Sequence, residues 1–161
     1  MRNVFGKIVL ASLAFMLFVS MSAPVQAAEV KTSYFTLELP GDWIQPQATQ
    51  EVNGMVSVVF ANKKDGTAVS INVMPSSMSA AEISKETTSN MKKGGINVGD
   101  PVEKDGMSEV SFNQAGGVGM MWFGSNGKEC AVTSIIGKTL DSGKELIKLV
   151  KPVDAKLFPK F

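Results

Sequence analysis

Apolar side chains at Phe35, Leu37 and Leu39 alternate with Tyr34, Thr36 and Glu38, the period-two pattern of a strand with one buried face. Leu39-Pro40-Gly41-Asp42 follows and suits a type II turn, in which proline presets the first central φ and glycine accepts the positive φ of the second. Such a turn carries Trp43 back over the strand end, against the face of Phe35, Leu37 and Leu39, where it caps the core. The segment MVSVVFANKKDGTAVSINVM has the pattern of a hairpin. A two-residue turn at Asp65-Gly66 pairs Lys64 with Thr67, Phe60 with Ile71 and Val58 with Val73, placing one face apolar on both strands. A slip of one residue would turn that face to water.

After Pro75 the period changes. Ser79 and Glu82 stand at capping-box spacing, each able to satisfy a free amide at a helix start. Ile83, Thr87 and Met91 share one helical face, and Gly94-Gly95 supplies the stop. The apolar stripe is thin, so this helix is expected on a surface. Strands return with INV, with VEKDGMSEVSF around Asp105-Gly106, and with GVGMMWFGSNGKECAVTSIIG around Asn126-Gly127. A two-residue turn in the last hairpin sets Phe123 opposite Cys130, Met121 opposite Val132, Trp122 opposite Ala131 and Met120 opposite Thr133. Both faces of that pair are apolar, which predicts central strands covered on both sides. Asp141 to Val150 reads as a short closing helix ahead of Pro152.

The predicted fold is therefore α+β: an antiparallel sheet of about six to seven strands joined by hairpins, with helices packed on it. The order of elements and the Leu-Pro-Gly-x-Trp corner at Leu39 to Trp43 resemble the PsbP-like superfamily, which includes the photosystem accessory protein PsbP, bacterial envelope proteins of the DcrB type and a nuclear relative that binds the GTPase Ran. The resemblance implies a PsbP-like sandwich and an accessory or binding role. It transfers no functional residues, since the corner is structural and fold alone does not assign function.

The chain opens with MRNVFGKIVLASLAFMLFVSMSAPVQAAEV, in which Arg2 and Lys7 precede an apolar run from Ile8 to about Val19 and small residues around Ala27. This is the layout of a secretory signal peptide, expected to be cleaved after Ala27. The apolar run is shorter than the roughly 20 residues that span a bilayer, so no stable membrane anchor is expected. Residues 1–27 are thus read as leader and residues 28–161 as a single domain, in the periplasm or secreted. Without the leader, 14 lysines face 15 acids, and neither arginine nor histidine remains. That composition lacks the basic excess of a nucleic-acid binder. With Cys130 as the only cysteine, no internal disulfide can form.

The same inventory limits the chemistry. Without histidine, nucleophilic catalysis through an imidazole base and the usual zinc ligand sets are both excluded. Cys130 on the expected pairing points with Val132 and Phe123 into an apolar setting, which keeps a thiol protonated and inert. Met120, Met121 and Cys130 could supply soft ligands for monovalent copper, but adjacent strand residues point to opposite faces, leaving only Met121 with Cys130. Asp100, Glu103 and Asp105 cluster near a glycine, yet aligning Gly106 with the glycine of a calcium loop puts Pro101 at the first ligand position and Phe112 at the last, so a solvated turn is expected. No pair of carboxylates is singled out for glycoside chemistry. No catalytic, cofactor or metal residues are assigned, and no cofactor is expected. The reading is a non-catalytic accessory or binding protein of the bacterial envelope whose partner is an envelope protein or a small ligand. The alternative is a copper carrier or a small enzyme whose site is assembled from residues distant in the chain.

Overall fold

The computed structural model describes residues 29–114 and 117–161; the expected leader, residues 1–27, and its expected cleavage point lie outside the described residues. In chain order the elements are β1 (Glu29–Lys31), β2 (Phe35–Glu38), β3 (Trp43–Ile44), β4 (Gln50–Val52), β5 (Met55–Asn62), β6 (Ala68–Pro75), α1 (Ala80–Lys93), β7 (Asn97–Val98), β8 (Val102–Lys104), β9 (Met107–Gln114), β10 (Gly117–Ser125), β11 (Glu129–Gly137), α2 (Asp141–Lys148), β12 (Lys151–Pro152) and a 3-10 turn at Ala155–Leu157. The class is α+β with antiparallel pairing throughout, as expected. The strand count is not: the main sheet has nine strands, running β3-β5-β6-β11-β10-β9-β7 with β4 beside β5 and β8 beside β9, and a separate three-stranded sheet runs β1-β2-β12.

The two faces of the main sheet carry separate cores. On one, Ile83 and Met91 of α1 pack with Val110, Phe112, Met121, Phe123, Cys130 and Val132. On the other, Phe35 and Leu37 of the small sheet, Leu146 and Ile147 of α2, and Leu157 and Phe158 meet Val58, Phe60, Ile71, Trp122 and Ile135. The β10-β11 pair is covered on both sides, as its double-sided apolar pattern predicts. Helix α1 starts at the expected capping box, with Ser79 accepting from the Glu82 amide and the Glu82 carboxylate accepting from the Ser79 amide at 2.8 Å. It ends in a Schellman turn: Gly95 takes φ +78°, its amide bonds the Lys92 carbonyl, and the Ile96 amide bonds that of Met91. Ile83, Thr87 and Met91 are buried as expected, together with Ser84 and Thr88.

Both long hairpins have a register different from the expected one. Phe60 lies opposite Val69 and Val58 opposite Ile71. Phe123 lies opposite Val132, Met121 opposite Ser134, Trp122 opposite Thr133 and Met120 opposite Ile135. Each pairing is displaced by two residues, because each turn is centred one residue away from the expected Asx-Gly pair: on Lys64-Asp65 in the first hairpin and on Gly127-Lys128 in the second. The Asn62 amide bonds the Thr67 carbonyl while its side chain accepts from Lys64, and the Asn126 amide bonds the Glu129 carbonyl while its side chain accepts from Lys128 and Glu129. A type I′ turn needs positive φ at both central residues. Asn53-Gly54 and Asp105-Gly106 meet that condition and make two-residue turns, whereas in Asp65-Gly66 and Asn126-Gly127 only the glycine does. Since sides repeat every two residues, the displacement leaves every side chain on its expected face.

The Leu39 corner also turns differently. The Trp43 amide bonds the Pro40 carbonyl at 2.9 Å, so Gly41 and Asp42 are the central residues, and Gly41 does not have positive φ. The type II assignment fails, and with it the need for a glycine's positive φ at Gly41. Trp43 nevertheless goes where the sequence places it. It is 5 % exposed and belongs to the core cluster that holds Phe35 and Leu37, with Leu39 packed against that cluster. It does so from edge strand β3 of the main sheet, paired with β5, while Phe35 and Leu37 come from the small sheet. The tryptophan is a clamp between the sheets.

Candidate functional site

The residues weighed from sequence do not converge. Cys130 is fully buried, and loss of hydration pushes its thiol up to about 11, opposed by a hydrogen bond with Ser76. Because Met121 faces Ser134, Cys130 lies four residues along β11 from that partner. At about 3.3 Å per residue the two sulfurs' backbones are separated by roughly 13 Å, too far to share an ion. The cross-strand neighbour of Cys130 is Met74, and Met55 and Met78 border the same cluster, a set of sulfurs that the sequence spacing did not bring out. Met120 points to the opposite face and packs against the other core. The acids separate as well: Asp100 pairs with Lys92 at 2.8 Å, while Glu103 and Asp105 line an open depression at the start of α1. Among the described residues no group of three or more Cys, Asp or Glu side chains is placed to hold a metal ion.

That depression, of about 640 Å³, is bordered by Ser77, Ser79, Glu82, Lys104 and Asp105. Its capacity for an anion is already used, because the Glu82 carboxylate accepts from both the amide and the hydroxyl of Ser79. Those bonds hold the Glu82 carboxyl below the usual range.

On the other side of the Asp105-Gly106 turn lies a groove of about 450 Å³ with a different lining. Its floor is the face of the main sheet that the small sheet leaves bare: Met107 from β9, and Met120 and Trp122 from β10. Trp122 donates its indole N–H to the carboxylate of Glu109, its cross-strand partner, at 3.1 Å. The far wall is the segment 155–161. Gly124 makes that approach possible, since a Cβ there would stand 2.6 Å from the carbonyl oxygen of Leu157. Leu157 and Phe158 then anchor the segment in the core, with the Phe158 ring edge-on to Phe35 at 5.7 Å between centroids. The chain continues over the groove to Phe161, whose ring meets Trp122 edge-on at 5.0 Å. Lys144 of α2 has its Nζ 6.0 Å from the Phe161 ring centre.

Lys104, Lys144, Lys156 and Lys160 surround this groove, against Asp105 and Glu109. None of the four lysines forms an ion pair among the described residues, although other lysines pair with Asp42, Asp100, Glu145 and Glu38. An apolar, aromatic floor rimmed by unpaired ammonium groups can hold an apolar body and a negative charge at the same time. Sequence reading did not identify the site, because its parts come from strands β9 and β10, from α2 and from the last seven residues. The one available signal was the basic and aromatic composition of VDAKLFPKF, which follows the closing helix.

Among the described residues no helix is long and apolar enough to cross a membrane. No protein-family model and no curated protein sequence matches the chain. Among solved structures it is similar to a protein of Bacteroides thetaiotaomicron VPI-5482, determined at 1.50 Å resolution, with 11 % identity and a TM-score of 0.42. The match covers 81 % of this chain and 50 % of that one, so the chain spans about half the length of the structure it matches.

Proposed function

We propose that this is an exported, non-catalytic binding or accessory protein of the bacterial envelope, and that its partner or ligand docks in the groove between the β9-β10 face and the segment 155–161. Export rests on the leader pattern of residues 1–27. The observation that carries the binding role is the groove itself: a concave apolar floor at Met107, Met120 and Trp122, rimmed by four unpaired lysines. The PsbP-like reading of the fold belongs to the same proposal, supported by the order of elements and by the Leu-Pro-Gly-x-Trp corner acting as a structural joint.

The test is site-specific photo-crosslinking in the envelope of the producing cell. A photoreactive residue at Lys160, on the groove rim, is compared with one at Lys85, exposed on α1. Adducts specific to the Lys160 position support the reading. Identical adducts from both positions, or recovery of the protein in the cytoplasm with its leader intact, would refute it.

A further inference from the structure

The segment that walls the groove also blocks it. Trp122 is 3 % exposed, yet its cover is Phe161, itself 46 % exposed. Up to Phe158 the segment is fixed: Leu157 is buried, its amide bonds the Asp154 carbonyl, and Phe158 sits in the core. Beyond Phe158, no hydrogen bond or ion pair among the described residues holds residues 159–161. Only the ring contact with Trp122 and the Lys144 ammonium near the Phe161 ring keep this end down, so opening belongs to the low-cost local motions of the molecule. Pro159 stiffens the chain between the fixed and the loose part.

We infer that Phe161 is an internal occupant of the groove, and that it is displaced by a small amphiphilic anion: an acyl or aryl body bearing an acidic head group. The inference rests on the binding role proposed above and assigns that groove its ligand class. Phe161 demonstrates the fit of the apolar part, since its ring already lies on Trp122 with an ammonium group, Lys144, near its face. The charge of the ligand follows from the rim. Four of the 14 lysines of the chain beyond the leader gather around one groove in a chain where acids outnumber lysines there, 15 to 14. Asp105 and Glu109 in the lining and Asp154 beside Lys156 offset three of them, and Glu109 is occupied by the Trp122 indole, so the side chains of the rim keep a net positive charge. An ammonium group recognises charge without fixing a planar geometry, so carboxylate and phosphate heads are both accepted. Size favours a small ligand over a peptide, because a groove of about 450 Å³ lies within the ordinary small-molecule range.

Occupancy by Phe161 lowers apparent affinity by the fraction of time the groove is open. Removing the ring is therefore expected to tighten binding, the opposite of what loss of a ligand contact does. Calorimetric titration of the exported protein with dodecanoate, below its micellar concentration, reads this directly. Saturable one-to-one binding is expected for dodecanoate and dodecyl phosphate, with at least about tenfold weaker binding of dodecyltrimethylammonium. Lys144→Ala combined with Lys160→Ala is expected to weaken dodecanoate binding about tenfold, and added salt to act in the same direction. Phe161→Ala is expected to tighten it severalfold. All three positions lie on the surface segment or helix, and an unchanged circular dichroism spectrum confirms the fold of each variant. Equal binding of the cationic amphiphile, or no binding of either anion, would overturn the ligand class. Unchanged or weaker binding by Phe161→Ala would overturn the displacement. Groove-specific crosslinks persisting in the absence of dodecanoate binding would leave the binding role in place and replace the small anion by a protein partner, such as an acidic peptide.

Discussion

Replacing Gly124 by alanine tests whether the segment 155–161 is seated on the sheet as tightly as described. The added methyl would stand 2.6 Å from the carbonyl oxygen of Leu157 and 2.7 Å from that of Lys156. Both are backbone atoms, so no side-chain rotation relieves the contact. If the segment shifts but stays bound, the cost is that of overpacking, about 1–3 kcal/mol. If it lifts away, Leu157 and Phe158, now 1 % and 4 % exposed, lose their burial. At about 1.5–3 kcal/mol for each large apolar side chain, that sets an upper limit of roughly 3–6 kcal/mol. The expected loss therefore lies between about 1 and 6 kcal/mol, accompanied by a red shift of Trp122 emission as Phe161 leaves its ring. Urea unfolding followed by circular dichroism measures it, with Gly41→Ala as the control. Nothing lies within 4 Å of a Cβ at Gly41 and its φ is not positive, so that variant is expected within about 0.5 kcal/mol of the parent or slightly above it. A Gly124→Ala protein equally stable as the parent would refute the seating.

Trp43→Ala is expected to cost about 3–5 kcal/mol in the same assay, the scale for deleting a buried aromatic, and a stable variant would remove Trp43 from its role between the sheets. Cys130 gives a pH signature: burial pushes its thiol up to about 11 from the ordinary value near 9.0, so the folded state holds this proton more tightly. The stability it contributes is complete below pH 9 and falls as pH rises through 11, by up to about 3 kcal/mol relative to a Cys130→Ala variant, which lacks the titration. Parallel curves for the two proteins would contradict this burial, and so would alkylation of the native thiol at pH 8 at the rate of the unfolded chain. Cys130→Ser is expected to leave any binding of monovalent copper unchanged while lowering stability by about 1–3 kcal/mol; tight binding that it abolishes would restore the carrier reading. Export is checked by intact mass, expected to place the mature N-terminus within a few residues of Ala28; a soluble protein retaining residues 1–27 would overturn it.

The features legible in the sequence are those carried by local chemistry. The Ser79-Glu82 box and the Gly94-Gly95 stop delimit α1 because each acts on amides or carbonyls a few residues away. Strand faces were legible for a similar reason: Val58 and Phe60 stay on one side whatever the even offset between strands. The offset itself was not, since it depends on whether Asn62 and Asn126 close their loops with their own side chains, a choice that an Asx-Gly pair does not display. The short edge strand β4 was hidden by its polar composition, since it is exposed along its whole length and has no alternation to read, whereas the equally exposed β8 was legible only through the Asp105-Gly106 turn that joins it to β9. The groove is the least legible feature. Trp122 and Met120 read as core, and they become a floor only because the small sheet stops short and the segment ending at Phe161 crosses over them.

The chain holds two tryptophans, Trp43 between the sheets and Trp122 beneath the groove, and their indole N–H signals report separately in one proton–nitrogen correlation spectrum. Recorded during addition of dodecanoate, that spectrum tests the groove most directly. The expected result is a progressive, saturable shift of the Trp122 indole signal, whose N–H is bonded to Glu109, with the Trp43 signal unmoved. Movement of both signals together, or of Trp43 alone, would contradict the account.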